Sequence, residues 1–438
     1  MPLVEHVRQA GVVGAGGGGF PTHVKLAGKA DTVIVNGAEC EPLMHKDVVL
    51  MEHRAAEMVR GVVLTMSCVG ATKGIVGIKE KNSEAVEAVR KAIGGEDVEI
   101  KLLGDYYPAG DEYDLVFECT GRLIPPGGIP LHVGVVVSNV ETFINVAAAS
   151  SGRPVVTKTL TVAGAVQQPK TLTVLLGTSL RSCIEAAGGA TVSDPVLCLG
   201  GMMMGETTSD LDRPVTKTTG GVIVLSRSHP VVERKLKPAE VKNRIGRSSC
   251  DQCRFCTELC PRFLLGYAVE PHQVMRSLAF SAAGSRYWSE WAAMCCSCGL
   301  CTLYACPEAL YPKEACDQSK VELRKASIPY NGPSTPTPHP MRDGRRVPTK
   351  LLKRRLFLEA YDLPAPFDPQ QPACTEAWIL LKQGAGATGI PIVVTGDRVG
   401  EGQALTRLPD GALGALVHAP FTAVVGEIDA TSIRLKRL

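Results

Sequence analysis

The chain has 438 residues, of which 45% are hydrophobic and 21% charged, a balance that allows several globular cores. Its formal net charge of +3 excludes a dominant attraction to nucleic acid or to an acidic membrane surface. No stretch approaches the roughly 20 apolar residues of a membrane span, and Glu5 and His6 fall where a signal peptide would be apolar, so a soluble cytoplasmic protein is expected.

Residues 1–150 alternate apolar runs with helical stretches. Runs at 32–36, 74–78 and 134–138 predict buried strands, and Ser83–Ile93 and the segment near Glu141 predict helices. That alternation implies a parallel α/β layer. Residues 155–162 alternate as a half-buried strand does. A turn at 164–169 returns the chain into a second strand at 171–176, and a helix at 179–187 ends at Gly188-Gly189. Residues 151–235 are therefore expected to form a small α+β module. Residues 236–328 carry paired cysteine motifs, with a helical pattern between them at 268–293. Proline-rich runs at 329–345 and 364–372 flank a predicted helix at 349–361, so 329–375 is expected to be an extended linker with a helix. The last part, 376–438, is β-like and broken by glycines, with strands near 394–399 and 417–426. It predicts a small barrel or sandwich.

Sixteen cysteines in a chain expected to stay in a reducing compartment point to metal or redox chemistry rather than disulfides. Eight fall in two motifs. The first is Cys250-x2-Cys253-x2-Cys256-x3-Cys260-Pro261; the second is Cys295-x2-Cys298-x2-Cys301-x4-Cys306-Pro307. Three cysteines at every third position followed by Cys-Pro is the spacing of a 4Fe–4S loop. Zinc usually takes two separated pairs. In two-cluster ferredoxins the cysteine before proline ligates the other cluster. That pattern assigns Cys250, Cys253, Cys256 and Cys306 to one cluster, and Cys260, Cys295, Cys298 and Cys301 to a second. The extra residue before Cys306 is expected to alter the local turn and not the ligation. Cys296 competes with Cys295, which alone keeps the x2 spacing. The remaining cysteines are expected mostly to be buried small hydrophobes.

Gly14-Ala-Gly-Gly-Gly-Gly-Phe-Pro-Thr22 places five glycines in six positions, so its backbone can approach a ligand and offer N–H groups to phosphate. It lacks the lysine of a Walker loop, and no strand precedes it. The glycines alone fit either a nucleotide cradle or a flexible turn.

Three further motifs follow in order: Asn36-Gly-Ala-Glu-Cys-Glu-Pro42, Tyr107-Pro-Ala-Gly-Asp-Glu112 and Ser138-Asn-Val-Glu-Thr142. With the glycine loop, the series resembles the FMN- and NADH-binding subunit of respiratory complex I. The resemblance implies that Gly14, Ala15, Gly16 and Gly17 cradle FMN and that Lys25 contacts it. It implies that Asn36 and Glu39 lie by the flavin ring, and that Gly110, Asp111 and Glu112 close the site. Ser138, Asn139 and Thr142 would take the phosphate region. Phe20 would stack on the nicotinamide or adenine of NADH, and Glu41 would orient NADH. Glu39, Glu41 and Glu112 are the candidate catalytic acids. The sequence departs from that family at Ala38, where an acid is usual, and at Val13 and Ala15, where arginines are. Residues 43–47 show no adenine-sandwiching aromatics.

Residues 154–226 resemble the β-grasp, soluble-ligand-binding module that follows this flavin domain. The tail resembles a barrel-sandwich (lipoyl-like) module, without a lysine at its hairpin tip, and so is read as structural or docking. In the RnfC subunit of the Rnf membrane complex that module comes first. Coming last, it makes the chain resemble the cobalamin reductases of propanediol-utilising bacterial microcompartments. That resemblance implies a multidomain α/β and α+β protein with FMN, NADH and two 4Fe–4S clusters, passing electrons to cob(III)alamin or cob(II)alamin inside a microcompartment. It implies a corrinoid-carrying partner (an adenosyltransferase or diol dehydratase) and a shell protein, and leaves room for a homo-oligomer. An RnfC-like electron-input subunit with a non-cobalamin acceptor is the alternative.

Overall fold

The computed structural model describes residues 1–278 and 290–438. Its first layer is a parallel sheet in the order β3-β2-β1-β5. It is formed by β1 (Thr32–Gly37), β2 (Lys73–Lys79), β3 (Val98–Leu103) and, beyond a short β4 (Tyr106–Tyr107), β5 (Val135–Asn139). Strands β1 and β2 are covered on both faces, which is why they read as continuous apolar runs rather than alternating ones. The helix Lys46–Val69 packs on Val140–Ala149 so tightly that a Cβ on Gly61 would sit 1.9 Å from the Phe143 carbonyl oxygen.

The second layer is a six-stranded sheet, β12-β7-β6-β10-β8-β9. Strands β6 (Thr157–Gly164) and β7 (Lys170–Leu175) make the expected antiparallel hairpin. The helix Leu180–Ala186 follows, capped by the Ser179 hydroxyl. Then come β8 (Pro195–Leu199), β9 (Glu206–Thr208) and β10 (Gly221–Ser226), the last parallel to β6.

The proline-rich stretch is strapped down rather than tethering freely. Its β11 (Val347–Pro348) pairs with β4, and its β12 (Phe367–Asp368) extends the second sheet beside β7. Buried Arg342 donates to Asp114 at 2.5 Å and pairs with Glu118 at 2.7 Å. The helix expected at 349–361 is Thr349–Arg355, because Phe357 turns left-handed (φ 57°) and only a 3₁₀ turn, Glu359–Tyr361, follows. Of the helical pattern at 268–293, the described residues form Pro271–Ser277 and a 3₁₀ turn at Glu290–Ala292; the rest lies outside the described residues.

The final module contains β13 (Glu376–Leu380), β14 (Ile390–Pro391), β15 (Arg398–Val399), β16 (Thr406–Arg407), β17 (Ala423–Ile428) and β18 (Ser432–Arg437). They form the sheets β13-β18-β17-β15 and β14-β16. Its Ile379, Leu405 and Phe421 join Val7, Val12 and Val33 in one continuous core, so the module that ends the chain packs on the layer that begins it. Among the described residues no helix is long and apolar enough to cross a membrane.

Candidate functional site

A cavity of about 300 Å³ opens where the strand ends of the parallel sheet meet the second sheet and the second cysteine loop. Gly16, Gly17, Asn36, Glu39, Glu41, Gly110, Asp111, Glu112 and Asn139 line it, all expected from sequence. Phe20, Lys25 and Glu112 line a neighbouring, largely apolar cavity of about 250 Å³ with Ile129, Pro130 and Leu131. Lys25 joins the two by donating to the Val137 carbonyl (2.8 Å) and to Glu112 (3.4 Å). Gly14, Ala15 and Thr142 stand behind the cradle. The Gly14 N–H donates to Phe20, and the Thr142 hydroxyl accepts from the Ala15 N–H at 2.9 Å. Ser138, in register with Val35, lines neither cavity.

Whether this pocket suits a flavin nucleotide is answered by its donors and space. A Cβ at Gly17 or Gly18 would meet nothing within 4 Å, so the loop faces open volume. The N–H groups of Gly16, Gly17 and Gly18 donate to no protein acceptor among the described residues, leaving a nest for phosphate. A Cβ at Gly16 would press on Asn139 at 3.2 Å. The residues present fit FMN.

The loop is held from outside its own layer. Lys158 of β6 donates to the Ala15 carbonyl at 2.8 Å and to Glu141 at 2.5 Å. The Ala385 N–H of the last module donates to the Gly19 carbonyl at 2.9 Å. Lys217, fully buried, donates to the carbonyls of Gly11 (2.7 Å) and Leu416 (2.6 Å), and burial pushes its ammonium down to about 7.

The acids differ sharply in what they do. Glu39 has a left-handed backbone (φ 25°) and accepts from the Asp47 N–H; burial, with Asp47 nearby, pushes its carboxyl up to about 8. Glu41 accepts from the N–H groups of Met203 (2.8 Å) and Met204 (2.9 Å), anchoring the Gly200–Gly205 loop over the pocket; burial raises its carboxyl. Asp111 caps the helix Glu112–Thr120 and pairs with Arg262 at 2.9 Å. Sequence reasoning missed Cys40, Lys46, Tyr107, Met204, Thr218 and Cys296 in the pocket wall. Lys46 is buried among Asp47, Asn139 and Glu141. Tyr107 donates to the Cys298 carbonyl at 2.7 Å.

The two cysteine loops repeat one backbone. Gln252 and Arg254 are left-handed (φ 60° and 68°), and so are Ser297 and Gly299 (φ 59° and 82°), at matching positions. That register makes Cys295 the counterpart of Cys250 and places Cys296 opposite Asp251. Cys260 (φ −71°, ψ 121°) and Cys306 (φ −75°, ψ 117°) are likewise equivalent. The turn before Cys260 is α-helical over Phe255–Glu258, and the longer one before Cys306 is a π-turn over Cys301–Ala305. A π-turn takes up one residue, so the x4 spacing changes the turn and leaves Cys306 in the same conformation.

Cys250, Cys253, Cys256 and Cys306 line one small cavity. The thiols of Cys295 and Cys296 lie near Cys260, and Cys301 faces Cys295 and Cys260. Among the described residues no three His, Cys, Asp or Glu side chains converge as a single-ion site. The Cys295 and Cys306 sulfurs face the N–H groups of Ser297 and Leu310, both at 3.4 Å, the kind of donor that reduced cluster sulfurs need. The residues present fit iron–sulfur ligation. Of the other cysteines, Cys183, Cys198, Cys316 and Cys374 are buried as expected.

Four family models match successive parts of the chain. They are the Nuo51 FMN-binding domain over residues 7–148, the SLBB domain over 159–207, a 4Fe-4S dicluster domain over 249–311 and the RnfC barrel sandwich hybrid domain over 369–437. The chain is 42% identical to the cobalamin reductases PduS of Salmonella typhimurium and of Citrobacter freundii, over 99% of its length and 96% of theirs. It is 37% identical to one subunit of the proton-translocating ferredoxin:NAD(+) oxidoreductase complex of Clostridium ljungdahlii, over 59% of this chain and 55% of that one. The flavin-type layer, β-grasp sheet, paired cysteine loops and final barrel thus occur in the order and over the length of the PduS proteins: the chain belongs to the PduS family.

Proposed function

We propose that this chain is an NADH-dependent reductase that takes hydride at an FMN and delivers electrons singly, through two 4Fe–4S clusters, to cobalamin. FMN supplies the conversion from a two-electron hydride to single electrons that clusters accept. The observation that carries the reading is the shared wall: Cys296 and Cys298 of the second cysteine loop line the same cavity as the glycine cradle and Glu39. The cluster of Cys260, Cys295, Cys298 and Cys301 then stands next to the flavin. The cluster of Cys250, Cys253, Cys256 and Cys306 is the exit, because Cys253 is exposed and Phe255 beside it is 53% exposed. Gly16, Gly17, Asn36, Gly110 and Asn139 hold FMN, and Glu39 keeps a proton at the pocket wall. The apolar cavity behind Phe20 takes one base of NADH. The acceptor is the corrinoid of a partner such as an adenosyltransferase or diol dehydratase, within a bacterial microcompartment.

The test is anaerobic. Purified protein should release FMN on denaturation, NADH should bleach the cluster absorbance, and cob(II)alamin should be reduced. Cys253→Ser should keep NADH-driven bleaching of the other cluster while losing corrinoid reduction, whereas Cys298→Ser should lose both. Absence of flavin, or clusters unresponsive to NADH, would sink the reading. The match of the last module to RnfC favours one second reading, an electron-input subunit for a non-corrinoid acceptor. A protein whose clusters bleach with NADH but never reduce cobalamin would establish it.

A further inference from the structure

Arg262 stands between the flavin pocket and the second cysteine set. Its backbone follows Cys260-Pro261, at the start of the short helix Pro261–Leu264. Its side chain is buried, at 7% exposure. The guanidinium pairs with Asp111, which lines the flavin pocket, at 2.9 Å, and lies 3.6 Å from the Tyr113 ring centroid. On its other side it faces the thiol of Cys296, itself in the pocket wall. Its Nε–H is buried and has no partner among the described residues. A guanidinium cannot give up its proton in a protein, so this cation is permanent. Asp111 and the Tyr113 ring each take one side of that charge, and another side is turned to the second cysteine loop at Cys296.

From this geometry we infer that Arg262 is a redox-positioning residue, whose fixed charge raises the reduction potential of the cluster held by Cys260, Cys295, Cys298 and Cys301 relative to the exit cluster. A buried cation next to a cluster favours the form carrying one more electron, and local charge is among the main determinants of cluster potential. An electron leaving the flavin pocket therefore moves toward a permanent positive charge. The inference rests on the second cysteine set holding a cluster, as in the proposed function.

Two substitutions break the same ion pair and should move that potential in opposite directions. Arg262→Gln removes the cation and should lower the midpoint potential of one cluster. Asp111→Asn removes the anion and should raise the potential of the same cluster. Both are read by anaerobic redox titration of the full-length, cluster-loaded protein, followed by electron paramagnetic resonance. The signals are assigned from Cys298→Ser and Cys253→Ser, each of which perturbs one cluster. A merely structural Arg262 would shift the potential the same way in both variants, or in neither, and would overturn the inference. If Arg262→Gln fails to load clusters, Asp111→Asn alone decides it: a rise supports the inference, and no change or a fall overturns it. A single cluster signal in the unaltered protein would instead refute the proposed function.

Discussion

Glu41→Gln keeps the side chain's size and removes its charge. In the structure the two carboxylate oxygens are divided, Oε2 accepting from Met203 and Oε1 from Met204. A glutamine has one oxygen, so one of these N–H groups would face an NH₂ group, donor against donor. A charge-assisted hydrogen bond contributes about 2 kcal/mol, and each 1.4 kcal/mol is tenfold in an equilibrium constant. Local opening of the Gly200–Gly205 loop should therefore rise about 30-fold. Amide hydrogen exchange resolved at Met203 and Met204 measures it directly, against strands β6 and β10 as internal references. Because Gly200 and Met204 line the pocket, FMN should dissociate more readily in the same variant. Unchanged protection at both amides would refute the anchoring role. Faster exchange with unchanged FMN affinity would show that the loop is no part of the flavin wall.

Glu39→Gln should flatten a pH dependence. Between its ordinary value of 4.5 and about 8, the folded chain holds a Glu39 proton that the unfolded chain has lost, so stability falls as pH rises through that window. The slope contributed is up to about 1.4 kcal/mol per pH unit, read from urea midpoints between pH 5 and pH 8. Lys217→Met should act in the opposite sense. The unfolded lysine is protonated up to about 10.5 while the buried one releases its proton near 7, so the wild type gains stability as pH rises between these values and the variant does not. The same variant leaves the Gly11 and Leu416 carbonyls unpaired and should raise hydrogen exchange where the last module meets the first. Arg342→Met leaves buried Asp114 without its cation, and should cost about 3–5 kcal/mol and open residues 329–346 to limited proteolysis.

The iron–sulfur domain was legible because its chemistry is written in consecutive spacing. Cys250 to Cys256 and Cys295 to Cys301 need only a turning loop, and the extra residue before Cys306 is absorbed by a local π-turn. Strands β1, β2 and β5 were legible for a similar reason, since each is a local apolar run covered on both sides. The flavin pocket was legible only where its residues sit in short motifs, as Gly16, Asn36 and Gly110 do. Its distant walls were not: Thr218 and Met204 come from another module and nothing local to them signals a ligand, while Cys296 reads only as a rival to Cys295 and not as part of a flavin wall. Glu41 shows the limit most clearly. Beside Pro42 it reads as an acid available to substrate, yet its carboxylate is bound by amides of a loop more than a hundred residues away. The proline-rich segment misleads for the opposite reason, because composition speaks for an extended backbone but not for Arg342 and Arg346 clasping Asp114 and Glu118.

The contact between Ala385 and Gly19 also bears on how the protein is made. A ribosome delivers the glycine loop early, then the second sheet with Lys158, then both cysteine loops, and only afterwards the barrel that grips Gly19 and Lys217. During synthesis the cradle is therefore held at Ala15 by Lys158 before the barrel reaches it at Gly19. Every residue lining the cavity precedes Ala385, so the wall is present before the barrel, and the barrel adds a clamp on the loop rather than a side of the pocket. A nascent chain stalled before Ala385 should thus carry a complete wall around a looser Gly19.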